Sequence, residues 1–220
     1  MTTIAISRLH FPVTTLGPGQ RIGIWMQGCS IHCPGCVSAD TWSFGRGVIA
    51  LAELQQRIAE WLPRADGITI SGGEPFDQPE ALRELLRGLR ATTEIDILIY
   101  TGYSLQNLPP AALPLDGLVD ALMTGPFVGA AAQTLPLRGS DNQELHLLTP
   151  LGKARFTCFL APTEQSPAFD LMFDEDGAVW LAGIPGRHDF QRLRSLLEEA
   201  GHRLLTSDDK SRDATSVRSQ

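Results

Sequence analysis

Three cysteines in one short segment place the strongest constraint on how this chain folds. Cys29, Cys33 and Cys36 occur within Cys-Ser-Ile-His-Cys-Pro-Gly-Cys, and the fourth cysteine, Cys158, lies far along the sequence. Thiolates spaced this closely can hold three corners of one metal centre, so this segment has to be a loop that the fold keeps ordered. A four-iron cluster has four corners, and three protein ligands therefore leave one iron open to a small molecule.

Other interpretations of the cysteines remain open at this point. Disulfides are not favoured, because the sequence shows no signal-peptide pattern at its start and the thiols are expected to stay reduced. Zinc is the stronger alternative, because Cys33 and Cys36 have a spacing typical of zinc sites and His32 or Cys158 could complete the ligands. In a cluster site, however, His32 as a fourth ligand would close the open position, so a loop role is preferred for it.

Composition and charge narrow the range of partners. The chain has 220 residues, a hydrophobic fraction of 43% and a formal net charge of −7, with no conspicuous cluster of lysine and arginine. Nucleic acid is therefore not expected as a partner. No apolar run approaches the roughly 20 residues that a membrane-spanning helix needs. The sequence predicts a cytoplasmic protein.

Apolar patterns predict an alternation of strands and helices. Short apolar runs predict strands over 22–26, 67–70, 95–100 and 118–123, and helical spacing predicts helices over 50–62 and from Pro79. Nearly continuous apolar strands that alternate with helices are typical of a parallel sheet covered by helices. The loops that follow such strands share one edge of the sheet, where ligands bind in this class of fold.

The pattern changes after Pro150. Strands are predicted over 154–161, 169–173 and 178–181, with a turn at Asp176-Gly177 and a final helix over 187–200. We expect a core over 1–150, an extension over 151–205 packed on this core, and a disordered tail over 206–220. Cys158 falls within the first of these strands and is expected to be a buried, inert thiol.

A second motif follows the predicted strand 67–70. It is Gly72-Gly73-Glu74-Pro75, and together with the cysteine triplet it resembles the radical S-adenosylmethionine (SAM) superfamily. The resemblance implies that these four residues hold the methionine end of SAM. Two glycines would let backbone carbonyls approach closely, and Glu74 would offset the charge of the ammonium group.

The same resemblance assigns the cofactors and the fold. It implies that Cys29, Cys33 and Cys36 bind a [4Fe–4S] cluster whose open iron is chelated by the amino and carboxylate groups of SAM. The implied fold class is α/β, a partial (open) βα barrel with a parallel sheet, plus a small C-terminal hairpin-and-helix extension. No catalytic residue beyond the cluster and the cofactor is assigned.

Further segments over about residues 8–150 narrow the resemblance to the activating proteins of anaerobic ribonucleotide reductases. They are Gly28–Cys36 with Asp40-Thr41-Trp42, Tyr100-Thr101-Gly102-Tyr103, Gly125-Pro126-Phe127, and Arg138-Gly139-Ser140 with Asn142-Gln143. Such proteins reductively cleave SAM to a 5′-deoxyadenosyl radical, which abstracts hydrogen from a glycine of a partner enzyme. A glycyl radical enzyme and a flavodoxin or ferredoxin-type reductant are therefore the implied partners.

Several residues in these segments are candidates for the site. Thr101 could reach the cofactor ribose or cap its strand, and Tyr103 could line the same pocket or pack. Arg138 and Ser140, with their polar neighbours, are expected to contact the cofactor or a partner, the alternative being a solvated turn. Trp42 is expected to shield the cluster from water. Asp120, in the fourth strand, could belong either to the site or to the surface.

The chain departs from the activating proteins in two respects. Thr124 stands where an acidic residue is usual, and residues 150–205 make the chain longer than the compact reductase activators. A second enzymatic hypothesis therefore stays open, a radical SAM enzyme that modifies a small molecule or peptide, with the C-terminal extension as an additional wall. The non-enzymatic alternative is a zinc-stabilised binding module.

Overall fold

A computed structural model describes residues 2–162, 169–173, 179–186 and 188–201 of the chain. The strands are β1 Thr3–Val13, β2 Arg21–Met26, β3 Val48–Ala50, β4 Gly67–Gly72, β5 Asp96–Tyr100, β6 Ala121–Thr124, β7 Glu144–Leu147, β8 Phe169–Phe173 and β9 Val179–Gly183. The α-helices are α1 Leu51–Ala59, α2 Pro79–Arg90, α3 Pro150–Phe156 and α4 Asp189–Glu199. No helix in these described ranges has the length and apolar character needed to cross a membrane.

The first seven strands form one sheet in the order β3-β1-β2-β4-β5-β6-β7. Its centre is parallel, since β2, β4, β5 and β6 run in the same direction. At the edges β1 runs antiparallel to β2 and β3, and β7 runs antiparallel to β6. The predicted α/β class with a parallel sheet is confirmed. The described strands do not close into a barrel, because β3 and β7 lie at opposite edges.

Helices α1 and α2 cover one face of this sheet. In α2 the buried residues recur at intervals of three and four, as one face of a helix requires, and Pro79 occupies the first turn, where its missing N–H is not needed. Each fully buried leucine of this face contributes about 2 kcal/mol through removal of apolar surface from water. The helix predicted from Pro79 is therefore confirmed. It packs on the apolar residues of the central strands, among them Ile24, Ile70 and Ile99.

The opposite face is covered by segments that follow Pro150. Phe156 of α3 packs on Leu98 and Met123. Strands β8 and β9 form a separate antiparallel hairpin, whose Met172 and Ala182 pack with Trp25 of β2. The predicted hairpin strands and the final helix are confirmed. The predicted turn at 176–177 and the predicted tail at 206–220 lie outside the described residues.

The strand predicted over 154–161 is wrong, because this segment continues α3 and then forms a short 3₁₀ turn, Thr157–Phe159. The side chain of Thr149 caps the helix by accepting a hydrogen bond from the backbone N–H of Gly152, and Pro150 stands at the first helical position. The expectation of a buried Cys158 is wrong for the same reason. The helical backbone turns its thiol outward, and Cys158 is exposed.

The other differences concern strands outside the parallel centre of the sheet and the start of β6. Strands β1, β3 and β7 were not predicted, and β6 begins at Ala121 rather than at 118. Strand β1 has only an irregular alternation of buried and exposed residues, because its register to β2 shifts twice. Such bulges remove the period of two on which strand prediction depends.

Candidate functional site

The loops that carry the two special motifs meet at one edge of the sheet. Strands β2 and β4 are parallel neighbours, with Met26 opposite Gly72, so their C-terminal ends coincide. Beyond the strands, the N–H of Gly73 donates to the carbonyl of Met26 (2.9 Å) and the N–H of Glu74 donates to the carbonyl of Gly28 (2.8 Å). The expected common edge is thus confirmed, and the two loops are hydrogen-bonded to each other.

This contact explains why two glycines stand in the second motif. Gly72 has φ +101°, a conformation that other residues rarely adopt, and a Cβ there would lie 2.6 Å from the backbone nitrogen of Met26. A Cβ on Gly73 would lie 2.1 Å from the carbonyl oxygen of Gly28. Any side chain at either position would therefore push the second loop away from the cysteine loop.

The cysteine loop is held from behind by the segment that follows it. Gly28 donates its N–H to the carbonyl of Thr41 (2.7 Å), and Cys29 donates its N–H to the carbonyl of Trp42 (3.1 Å). The buried side-chain amide of Gln27 donates to the carbonyls of Thr41 and Ser43. The loop thus has a fixed backbone position although it contains no regular secondary structure.

Hydrogen-bond donors point to two of the three cysteine sulfurs. Burial raises the pKa of the Cys29 thiol, and the backbone N–H groups of His32 and Ile31 oppose this rise by donating to its sulfur. Burial also raises the pKa of Cys36, opposed by the backbone N–H of Ser38 and by the side chain of Trp42. Donors of this kind stabilise a thiolate and surround the sulfurs of iron–sulfur clusters. The surroundings of Cys29 and Cys36 therefore fit metal-bound thiolates.

The cysteines do not form a closed site for a single ion. Within the described residues no three His, Cys, Asp or Glu side chains converge closely enough to hold one metal ion. A mononuclear zinc site needs such convergence, whereas in a four-iron cluster each thiolate binds a different iron. The imidazole of His32 instead stacks on Trp42, with ring centroids 4.7 Å apart. His32 is exposed and Trp42 is half-buried, and shielding of the cluster by Trp42 stays a prediction.

Glu74 belongs to the second loop and is buried, with only 1% of the residue exposed. Its carboxylate accepts hydrogen bonds from the backbone N–H groups of Phe76 (3.0 Å) and Gly102 (2.8 Å) and from the hydroxyl of Thr101 (2.8 Å). Burial raises its pKa from 4.5 to about 7, although these three donors oppose the rise. A cation beside Glu74 would favour the ionised form, which fits the predicted ammonium group. Pro75, also buried, follows Glu74 at the start of a 3₁₀ turn.

Thr101 and Tyr103 both lie at this site. Thr101 follows the last residue of β5, and its hydroxyl joins that strand to Glu74. The hydroxyl of Tyr103 donates to the carboxylate of Asp77 (3.0 Å), which also binds Ser30. Sequence reasoning did not find Asp77 or Ser30. The only sequence signal for these two residues is that they lie next to the two motifs, because a contact between two loops produces no periodic pattern in a sequence.

Arg138 and Ser140 lie in the loop that joins β6 to β7, and both are buried. The guanidinium of Arg138 donates to the carbonyls of Gln143, Pro136 and Phe159, and the hydroxyl of Ser140 accepts from the N–H of Val128. These contacts order the loop itself. The loop also approaches the cysteines, because a Cβ on Gly35 would lie 3.5 Å from the ring of Phe127. Contact of Arg138 and Ser140 with the cofactor stays a prediction.

Two further candidates have structural partners. Asp120 is buried, accepts hydrogen bonds from the N–H of Ile97 and the hydroxyl of Thr149, and pairs with Arg90. It therefore ties strand ends together away from the cysteine loop. Thr124, at the end of β6, lies 2.9 Å from the ring nitrogen Nε2 of His146.

Comparison with known proteins identifies a matching family, relatives in sequence and a solved structure with partial similarity. The family described as a 4Fe-4S single cluster domain matches residues 15–146. The chain is 32% identical over 148 residues to the anaerobic ribonucleoside-triphosphate reductase-activating protein of Escherichia coli K12, covering 63% of this chain and 96% of that protein. The namesake protein of Enterobacteria phage T4 is 29% identical over 134 residues, covering 59% of this chain and 85% of that protein. The crystal structure of QueE from Escherichia coli gives a TM-score of 0.36 at 22% identity, over 46% of this chain and 53% of that one.

Proposed function

The chain belongs to the family of anaerobic ribonucleoside-triphosphate reductase-activating proteins, and we propose that it activates a glycyl radical enzyme of the anaerobic ribonucleotide reductase type. The resemblance identified from its motifs is confirmed by these relatives. The chain is accordingly a radical SAM enzyme with a [4Fe–4S] cluster and SAM as cofactors. The observation that carries the proposal is the pair of backbone hydrogen bonds that dock the Gly-Gly-Glu-Pro loop on the end of β2 and on the cysteine loop that follows it.

In this proposal the cluster and SAM together supply one chemical capability, the reductive formation of a 5′-deoxyadenosyl radical. The residues of the chain hold and orient these groups. Cys29, Cys33 and Cys36 ligate iron, and the donors around Cys29 and Cys36 offset the negative charge of the thiolates. Trp42, on which the ring of His32 stacks, is proposed to shield the cluster from water.

The second loop positions the methionine end of the cofactor. The absence of a side chain at Gly72 and Gly73 lets the second loop pack directly against the backbone of Met26 and Gly28, which fixes its position at the shared edge. Glu74, in its ionised form, offsets the ammonium charge, while Thr101 and Gly102 fix the orientation of its carboxylate. Pro75 begins the turn that holds this carboxylate, and Arg138 and Ser140 are proposed to act at the same edge through the loop 125–143.

The partners follow from the same proposal. The hydrogen donor is a glycine of a protein substrate, which a loop of that protein presents at the edge shared by β2, β4 and β5. The electron comes from a flavodoxin or ferredoxin-type reductant, the reaction takes place in the cytoplasm, and no nucleic acid takes part. A core over 1–150 would carry the chemistry, with residues 151–205 as an extension.

The experiment that tests the cofactor assignment is anaerobic reconstitution with iron and sulfide, followed by a dithionite-driven assay for 5′-deoxyadenosine. Cys33→Ala should bind no stable cluster and lower product formation by at least about 100-fold, because it removes a ligand. The matched control is Cys158→Ala, which removes an exposed thiol and should behave like wild type. A Cys33→Ala protein that kept both cluster and product would overturn the assignment.

A second assay separates the two candidate substrates. Incubation with SAM, a reductant and an anaerobic ribonucleotide reductase should produce a glycyl radical signal in the electron paramagnetic resonance (EPR) spectrum of the reductase. The alternative, a small molecule or peptide substrate, draws support from the hairpin and α4, which lie beyond residue 146, the end of the family match. SAM cleavage without any radical on the reductase would favour that alternative.

A further inference from the structure

The carboxylate of Asp77 connects three separate loops at the proposed site. Its Oδ2 accepts a hydrogen bond from the backbone N–H of Ser30 (2.6 Å), and its Oδ1 accepts from the hydroxyls of Ser30 (2.9 Å) and Tyr103 (3.0 Å). Asp77 follows β4, Ser30 follows β2 and Tyr103 follows β5. The C-terminal ends of three adjacent parallel strands are therefore linked through one side chain.

The position of Ser30 makes this contact more than a surface hydrogen bond. Ser30 directly follows Cys29, and Asp77 binds both its backbone N–H and its side chain. This two-point contact fixes the direction of the chain as it leaves the first cysteine. A carboxylate is well suited to the task, because charge-assisted hydrogen bonds are shorter and stronger than those between neutral groups.

The partners of Asp77 also argue against a purely local role. An aspartate at the end of a 3₁₀ turn commonly binds backbone groups of its own turn. The three donors here lie 47 and 26 positions away in the sequence. The side chain therefore helps to set the distance between the loops. This is the distance between the cysteine loop and the Gly-Gly-Glu-Pro loop, which leads directly into the turn that contains Asp77.

We propose that Asp77 is a positioning residue, which holds the segment after Cys29 at a fixed spacing from the Gly-Gly-Glu-Pro loop so that cluster and SAM lie in register. Tyr103 supports it by donating to the same oxygen and by lying 3.2 Å from the hydroxyl of Ser30. The inference rests on the proposed function for the identity of the two bound groups.

The test compares Asp77→Asn with Asp170→Asn. Asp170 makes the same kind of contact elsewhere, because its carboxylate accepts from the backbone N–H and the hydroxyl of Thr14 and from the hydroxyl of Thr15. Both variants lose one negative charge and weaken a three-donor contact. Their effects on folding are therefore comparable. Because the charge of Asp77 also acts on Cys29, Tyr103→Phe, which weakens the same contact without loss of charge, separates a change of position from a change of charge.

Two measurements on the anaerobically reconstituted proteins decide the outcome. The first is the rate at which a ferrous chelator removes iron, and the second is the SAM concentration that half-converts the EPR spectrum of the reduced cluster. Asp77→Asn should assemble a cluster, release iron about 10-fold faster and need about 10-fold more SAM, whereas Asp170→Asn should match wild type. Tyr103→Phe should shift both quantities in the same direction by less, and adding it to Asp77→Asn should change little.

The possible results separate this inference from the function on which it rests. If wild type assembles no cluster, the proposed function fails and the inference falls with it. If wild type assembles the cluster and responds to SAM, but Asp77→Asn and Asp170→Asn give the same iron release and the same SAM response, the inference alone is overturned. A lowered unfolding temperature in both variants, without a difference at the cluster, counts as the same negative result.

Discussion

At the scale of single residues, Glu74 is a buried carboxylate whose ionised form would be stabilised by a positively charged neighbour. Its carboxylate has three protein donors and almost no contact with water, and burial outweighs these donors, so that its pKa rises to about 7. Near neutral pH the side chain is thus balanced between its two forms. A positively charged group would favour the ionised form, and a neutral neighbour would not.

This balance predicts a pH dependence of folding. Because the pKa of Glu74 is higher in the folded chain than its ordinary value of 4.5, its ionisation favours the unfolded state, and stability is lost as pH rises from 4.5 through about 7. Between pH 6 and pH 8 this loss is about 1 kcal/mol. In urea unfolding of the metal-free protein, Glu74→Gln should therefore lower stability less at pH 8 than at pH 6, by about that amount.

The matched control for Glu74 is Glu53→Gln, since the side chain of Glu53 is 46% exposed and pairs with Arg57 on the surface of α1. We expect its effect on the free energy of unfolding to be small at both pH values. An equal effect of Glu74→Gln at pH 6 and pH 8 would contradict the pKa on which this prediction depends.

At the scale of elements, sequence periodicity predicted the parts that depend on local patterns. Helix α2 was predictable because its apolar residues recur on one face and Pro79 marks its start. Strand β1 was missed, because its shifts of register and half-buried residues remove the alternation. The sequence predicts a strand in the place of α3, because Phe156, Phe159 and Leu160 form an apolar run, and Thr149, which caps the helix, lies outside this run.

The residues of the site can likewise be divided into those that the sequence predicts and those that it does not. The cysteines, Gly72, Gly73 and Glu74 could be recognised, because spacing and residue type carry their signal. Asp77 and Ser30 could not, since their contact joins residues 47 positions apart and depends on the parallel pairing of β2 and β4. Sequence reasoning could therefore place both loops at one edge but could not supply the contacts that hold them there.

Trp180 makes the aromatic contacts between the hairpin of β8 and β9 and the sheet, which gives a prediction at this scale. Trp180 packs edge-on against Trp25 and His10, each at 5.2 Å between ring centroids, and the guanidinium of Arg8 lies over its ring. Trp180→Ala should remove this contact and destabilise the attachment by about 3 kcal/mol. Hydrogen exchange in residues 169–173 and 179–183 should then become faster.

The neighbouring Val179→Ala serves as the control for Trp180→Ala, because Val179 is 54% exposed on the same strand. It should leave exchange in the hairpin close to that of wild type. Unchanged hydrogen exchange in Trp180→Ala would show that other contacts, such as those of Asp170 with Thr14 and Thr15, are sufficient to hold the hairpin.

At the scale of the whole molecule, the two ends of the parallel strands have different tasks. At the N-terminal end, Arg21 and Asp96 form a fully buried pair (2.6 Å), and Arg155 of α3 binds the same carboxylate (3.0 Å). Removal of one member of such a pair leaves a buried charge and is strongly destabilising. At the C-terminal end lie the loops of the cysteines, Glu74 and Tyr103. Variants for functional tests therefore belong at the C-terminal end.

The central claim is that the three cysteines leave one iron of the cluster to the cofactor. The most direct measurement is electron–nuclear double resonance of the reduced protein with SAM labelled with ¹⁵N in its amino group and ¹⁷O in its carboxylate. The account predicts hyperfine coupling of both labels to the cluster. Absence of both couplings while SAM is bound, or a protein that takes up one zinc ion in place of iron, would contradict it.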